Sequence, residues 1–530
     1  TYTGGTGDDN INLSGATITT LDTNAGNTTI SGDATSKGTV ETLKTTSGDN
    51  HTITVSNATI KNYTAGTQND TLIVSSGGVI GDNNSTLNFS GGNNTLEVKS
   101  GGDISKLSTI TMGDNGNANI TIENGAKLGT TTDTTINLGT AAANGKNTFT
   151  LKASGDHLNL SGSSSLDEIT VSGNGINLNK LSAGSGDTTI NLQSNGGIKT
   201  LELGNDANNI TINGSGGVST ITATGNSTHT LTVGNQATIS SYTGGSGDDT
   251  ITLQSGASIG TTAAGATGGT NLQITTGSGS DTITIEKGAK FGSNVTIDFG
   301  ASGSGTLKLK GAGGFDLTQM DGTQGTTKNV LTVQNVTNID LSEASGSISL
   351  GGSDSNALVG KTNTQVEITG VTKDNTITLS DKAKETVKLD SNAKGITILS
   401  VGSGDKIDFS QVANDLSTAI SSGTFNSANS TGSSISASGA YVWNDGINGF
   451  DQTEQVKAQI KTAANNLTTG QKALVAVKNT EQNKSAIYLV SGSGTAGNGN
   501  GDNIDLKLLG IVGNKIDSQD KLDQGVITFA

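Results

Sequence analysis

Thr189-Ile190-Asn191-Leu192, Lys199-Thr200-Leu201-Glu202-Leu203, Ile210-Thr211-Ile212, Ser219-Thr220-Ile221-Thr222 and Thr230-Leu231-Thr232-Val233 follow one another about every ten residues. Each alternates apolar residues with Thr, Asn or another polar residue, the period-2 mark of a strand with one buried face. Gly, Asn, Asp and Ser fill the intervals and tolerate the positive φ angles of tight turns. The beat continues at Thr250-Ile251-Thr252-Leu253, Thr282-Ile283-Thr284-Ile285, Thr376-Ile377-Thr378-Leu379, Thr386-Val387-Lys388-Leu389 and Gly395-Ile396-Thr397-Ile398-Leu399. Two strands and two turns in about 20 residues make one coil of a parallel β-solenoid. The expected fold is all-β: an elongated parallel solenoid over residues 1–403, followed by a small α+β domain over 404–530.

Composition narrows the classes further. Of 530 residues, 78 are Gly, none is Pro or Cys, 31% are hydrophobic and 3% aromatic. Ordinary globular domains carry roughly 45–50% apolar residues with Gly counted, so one large compact core is excluded. Disulfides, thiolate metal sites and Cys nucleophiles are excluded with the cysteines. The net charge is −16, and all 30 basic residues are Lys. Without Arg forks or a basic excess, nucleic-acid binding is excluded. An acidic surface favours counter-ion capture, for which calcium is the natural candidate. The longest apolar runs, such as Leu508-Leu509-Gly510-Ile511-Val512, fall far short of the ~18 residues of a membrane helix. The chain opens at Thr1-Tyr2-Thr3, already inside a repeat-like segment, as expected of a piece of something longer.

A duplication spans the first half. His51-Thr52-Ile53-Thr54-Val55 returns as His229-Thr230-Leu231-Thr232-Val233, and Ala58-Thr59-Ile60 with Tyr63 as Ala237-Thr238-Ile239 with Tyr242. Ile120-Thr121-Ile122-Glu123 returns as Ile283-Thr284-Ile285-Glu286, but the offset has dropped from 178 to 163. The loss is close to one coil, which a stack accommodates by dropping a layer.

After residue 404 the texture changes. Val412, Ala413, Leu416, Ala419 and Ile420 predict one helical face within Ser410–Ser421. Asp451 with Glu454 reads as a capping-box start for a second helix carrying Val456, Ile460, Ala463, Ala464 and Leu467, with Gly470 ending it. Lys472–Val477 and Ser485–Val490 read as strands, and the chain ends on the apolar Gly525-Val526-Ile527-Thr528-Phe529-Ala530.

Three turns carry candidate chemistry. Gly4-Gly5-Thr6-Gly7-Asp8-Asp9-Asn10-Ile11-Asn12 fits the nine-residue calcium pattern G-G-x-G-x-D-x-U-x at every fixed position. Gly244-Gly245-Ser246-Gly247-Asp248-Asp249-Thr250-Ile251-Thr252 fits it again, and Gly277-Ser278-Gly279-Ser280-Asp281-Thr282-Ile283 lacks only the first Gly. In that pattern glycines let turn carbonyls converge on the ion while Asp supplies a hard anionic ligand. The candidate ligand positions are Gly4, Thr6, Asp9, Gly244, Ser246, Asp249, Ser278 and Asp281; plain Gly/Asp turns are the alternative. Ala183-Gly184-Ser185-Gly186-Asp187-Thr188 has lost the Asp and reads as a metal-free turn. In an export-competent state low in calcium, carboxylates such as Asp8-Asp9 and Asp248-Asp249 are expected to stand unpaired and repel. No catalytic site is expected: His51, His157 and His229 are isolated, there is no HExxH or G-x-S-x-G, and no acidic pair stands out. His51 and His229, as repeat equivalents, are expected to be structural.

Gly402-Ser403-Gly404-Asp405-Lys406-Ile407-Asp408-Phe409, the 451–469 helix, the strands around Tyr488 and the apolar last residues resemble the carboxy-terminal portion of RTX-type proteins exported by type I secretion systems. Within that group, the long Thr/Asn/Gly-rich solenoid is most similar to the surface-layer proteins of Gram-negative bacteria. The resemblance implies an uncleaved C-terminal secretion signal, calcium-driven folding outside the cell, an extracellular location at the cell surface and self-assembly into a lattice. Lipopolysaccharide or the outer-membrane surface becomes a candidate partner. A secreted adhesin or biofilm-matrix protein is the alternative, and a carbohydrate-active β-helix enzyme a third class.

Overall fold

The computed structural model describes residues 1–24, 26–45, 50–129, 132–260, 273–322, 328–352, 357–361, 364–372, 375–390, 393, 395–411, 423–428, 434–445, 447, 451–479, 482–494, 504–513, 516, 520–523 and 526–528. Strands hold 57% of the chain and helix 2%, arranged as a parallel β-solenoid of about 17 turns. Two compact units divide it, Thr1–Gly279 and Ser280–Ala530.

In the first unit, alternation sends every second side chain inward, and parallel pairing stacks like on like. His51–Ser56 pairs with Asp70–Val74, so that Ile53 lies on Leu72 and Val55 on Val74. The column continues through Leu96 and Ile120 to Phe149 and Ile169. All of these are fully buried. Each such side chain contributes roughly 2 kcal/mol by leaving water. A second ladder carries Val40 on Ile60 and Leu43 on Tyr63. One coil spans 19 residues from Thr52 to Thr71 but 29 from Asn119 to Thr148, so turns absorb the variation in length.

The duplication has its structural counterpart. In the first copy, Asp70–Val74 is followed by Asn94–Val98 and then Ala118–Ile122 in the same ladder. In the second, only the short strands Ser258–Ile259 and Gln273–Thr275 stand between Thr250–Leu253 and Ser280–Glu286 among the described residues. Asn94–Val98 has no counterpart among the described residues of the second copy.

Close stacking of turns demands glycine. Gly139 has φ +72°, and a Cβ there would fall 1.8 Å from the carbonyl oxygen of Gly113 on the coil below. Gly139→Ala should therefore cost about 2 kcal/mol or more, read as a lower thermal midpoint. An unchanged midpoint would show that the turns do not stack this closely.

In the second unit, Ile283, Leu307, Ile339, Ile368, Val387 and Ile407 form one inward column. Val526–Thr528 closes it by antiparallel pairing, Ile527 lying opposite Ile407. A further ladder runs from Phe315 through Ile348 and Ile377 to Ile398 and continues into Ile504–Val512. There the chain turns antiparallel through Lys484–Gly492 and Lys472–Asn479. The helix is shorter than the sequence suggests, Thr453–Ile460, and its N-cap is Gln452 with no side-chain cap bond, not the expected Asp451–Glu454 box. Val456 and Ile460 bury against Trp443 and Tyr488, so tertiary packing rather than capping holds it. Gly470 has φ +86° but lies beyond the helix. The helical face expected at 412–420 and the terminal residues 524–525 and 529–530 lie outside the described residues.

Candidate functional site: inward polar residues at the turns

Where a turn passes into a strand, the first inward position carries a polar residue on most coils of this ladder, His51, Asp70, Asn94, Asn147, Asp167 and Thr188, with Ala118 between Asn94 and Asn147 the exception. All of them are buried. The physical reason is the strand's first N–H, which the turn leaves inside the coil and which needs an acceptor. The next coil supplies it. Asp70 N donates to Asn94 Oδ1 at 3.0 Å, Ala118 N to Asn147 Oδ1 at 2.9 Å and His229 N to Asp249 Oδ1 at 3.1 Å. The residue just before works in the opposite direction: Asn93 N donates to Asn69 Oδ1 at 2.6 Å and Asn117 N to Asn93 Oδ1 at 2.8 Å.

The pattern aspartates belong to this system. Asp249 is 1% exposed and also accepts the Tyr242 hydroxyl on Oδ2 at 2.7 Å. Asp281 is buried likewise, while Asp9 at the first coil is half-buried and accepts Gly5 N at 3.1 Å. Asp8 accepts Asn27 N from the next coil at 3.1 Å. In the folded coils backbone N–H groups thus hold Asp8, Asp9 and Asp249, and a phenol holds Asp249 as well. Thr6, Ser246 and Ser278 are exposed and Gly4 is buried. Gly244 N donates to Thr275 O at 2.7 Å, Ser246 N to Gly225 O at 2.9 Å and Ser278 N to Gly245 O at 3.2 Å. Turn carbonyls are therefore shared between successive coils. The donors are hard oxygens of the kind calcium takes, so the residues fit the ion chemically. An ion at Asp249 would have to share its carboxylate with Tyr242 and the His229 N–H. Among the described residues, no three His, Asp or Glu side chains converge as a metal-binding group.

Sequence reading missed the partners of these acids. In the first copy, His51 Nδ1 lies 3.1 Å from Asp70 Oδ1, its Nε2 contacts Asn24 O, and Thr45 donates to Asp70 Oδ2 at 3.1 Å. Burial and the Asp70 charge push the Tyr63 hydroxyl well above its usual range. His51, Tyr63 and Asp70 thus correspond to His229, Tyr242 and Asp249: the residue types recur, but the acid takes the imidazole in the first copy and the phenol in the second. Burial holds His229 below the ordinary imidazole value. It raises Asp70 and Asp167, whose partners Thr45 and Ser163 oppose the rise. The position of Tyr63 seven residues before Asp70, matched by Tyr242 before Asp249, was the available signal. Thr188 is in register with Asp167 and occupies the same column, as the degenerate turn implied. His157 is different, sitting on the surface 3.0 Å from Asp133.

The acids change character near residue 400. Glu385 and Asp405 occupy the inward position on successive coils, and Glu385 N donates to Asp405 Oδ1 at 3.0 Å. Burial and the Asp405 charge push Glu385 up to about 9. These arrangements can stabilise coils or hold a hard cation. Comparison with protein-family models, with curated proteins and with solved structures finds no match for this chain.

Proposed function

We propose that this protein is a structural element of a bacterial surface array, secreted and stabilised outside the cell by calcium. The observation that carries the reading is the coil-by-coil repetition of outward residues. Thr52, Thr71 and Thr95 stack in register on one face of the first unit. Thr230 and Thr232 stack on Thr250 and Thr252 in the second copy. A surface that repeats itself at the strand spacing, about 4.8 Å, offers regularly placed contacts for another copy of the chain. No helix among the described residues is long and apolar enough to cross a membrane, which suits attachment through a surface partner such as lipopolysaccharide. The turn aspartates supply hard oxygens for calcium, and an ion that binds only the folded coils adds to their stability.

Electron microscopy of the purified chain in millimolar calcium tests the assembly. Ordered two-dimensional sheets that disperse with chelator are the expected result. Dispersed particles under all conditions would favour the adhesin or matrix reading and overturn the array.

A further inference from the structure

Four lysines surround one cavity of the second unit. It measures about 790 Å³ and is lined by Lys361, Lys382, Lys384 and Lys406, with Asp381 the one acid among its described lining residues. Strand register brings them together. Val366 lies opposite Glu385 and Thr386 opposite Lys406, so the turns that precede these strands stack on successive coils. A Cβ at Gly404 would fall 3.2 Å from Cδ and Cε of Lys384, so the glycine leaves room for that lysine's stem. Gln365 Nε2 donates to Gly404 O at 2.9 Å and Lys361 Nζ to Gly303 O at 3.1 Å, which fixes one wall and one of the ammonium groups.

Elsewhere on the coils a lysine lies against an acid of the neighbouring coil: Lys61 with Glu41 at 2.9 Å, Lys180 with Glu202 at 2.7 Å and Lys388 with Glu367 at 2.7 Å. Lys382, Lys384 and Lys406 make no ion pair of this kind among the described residues. The acids next to them in sequence are buried and do not take that place. Glu385 is pushed up to about 9 and holds a proton at neutral pH, while Asp405 accepts the N–H groups of Glu385 and Gly402. In a chain of net charge −16, the cavity is a concentrated positive site.

Three ammonium groups around one space suit a doubly charged oxyanion better than a single carboxylate. Lysine meets phosphate as a point charge, whereas planar carboxylates are gripped by the Arg fork, which this chain lacks. The volume is that of a small-molecule pocket rather than of a bare ion. Thr364, Ser403 and Thr528 also line it and supply hydroxyls, which match a polyol rather than an apolar body. We propose that this cavity binds a phosphorylated saccharide, with Lys382, Lys384 and Lys406 on the phosphate dianion and the three hydroxyl side chains toward the sugar. The site stands independently of the calcium and array readings.

Isothermal titration calorimetry of the full chain in phosphate-free buffer near pH 7.5 tests it, with glucose 6-phosphate, inorganic phosphate and glucose as probes. A phosphate monoester is a dianion there, its second pKa being about 6. Glucose 6-phosphate should bind, inorganic phosphate more weakly, and glucose not at all. Lys382 and Lys384 are exposed, so Lys382→Gln and Lys384→Gln should fold as wild type does. Each is expected to weaken glucose 6-phosphate about tenfold. Lys388→Gln, which removes a paired lysine outside the cavity, should leave binding unchanged. Absence of glucose 6-phosphate binding, or an equal loss in Lys388→Gln, would overturn the site. Inorganic phosphate binding as tightly as glucose 6-phosphate would overturn the saccharide assignment.

Discussion

Asp249→Ala is expected to lower the thermal midpoint by about 6–12 °C even in chelator, where no calcium contributes. The variant removes the acceptor of the His229 N–H and of the Tyr242 hydroxyl. Both groups are buried, as is the carboxylate itself. Stranding two buried donors costs roughly 3 kcal/mol, and a kilocalorie moves the midpoint by about 2–4 °C in a unit of this size. Tyr242→Phe removes one of the bonds and should lose less. If Asp249→Ala melts with wild type in chelator, the aspartate is a surface turn residue and the inward column is wrong at that coil.

Glu385→Gln should do the reverse, stabilising the metal-free protein at alkaline pH. Glu385 sits at about 9 in the folded chain against an ordinary 4.5. A raised carboxyl value means that the folded state holds a proton which the unfolded state has released. Stability from this group is then fully present below about pH 4.5 and declines as pH rises towards 9. Each pH unit across that window removes at most about 1.4 kcal/mol. The glutamine variant, which cannot ionise, escapes the decline. Unfolding free energies from denaturant in chelator at pH 5 and pH 8.5 should diverge between wild type and variant, with the variant ahead at pH 8.5. Parallel behaviour at the two pH values would show that Glu385 is not held in its protonated form.

Strand positions were legible because apolar/Thr alternation is a local signal that survives stacking: Thr189-Ile190-Asn191-Leu192 becomes part of Thr188–Gln193, and Thr230–Val233 part of His229–Val233. The shortening of the second copy could be read from a change in offset between the two copies. The turn aspartates were found through glycine spacing, but their inward direction was not, because the pattern says nothing of where the strand's first N–H points. Partners such as His51 and Asp70 escaped for a related reason. They are one coil apart, and coil length changes from 19 to 29 residues along the same ladder. Glu385 offered no spacing signal, since its turn lacks glycine. The helix after Gln452 was placed but overextended: apolar spacing continues to Leu467, whereas the regular helix stops at Ile460.

Calcium's place in the folded state is read most directly from thermal unfolding of wild type and Asp249→Ala, each in millimolar calcium and in chelator. A calcium-stabilised solenoid predicts a cooperative transition in chelator, a higher wild-type midpoint with calcium, and a smaller calcium-induced rise in Asp249→Ala. A wild-type midpoint that is the same with and without chelator would contradict it.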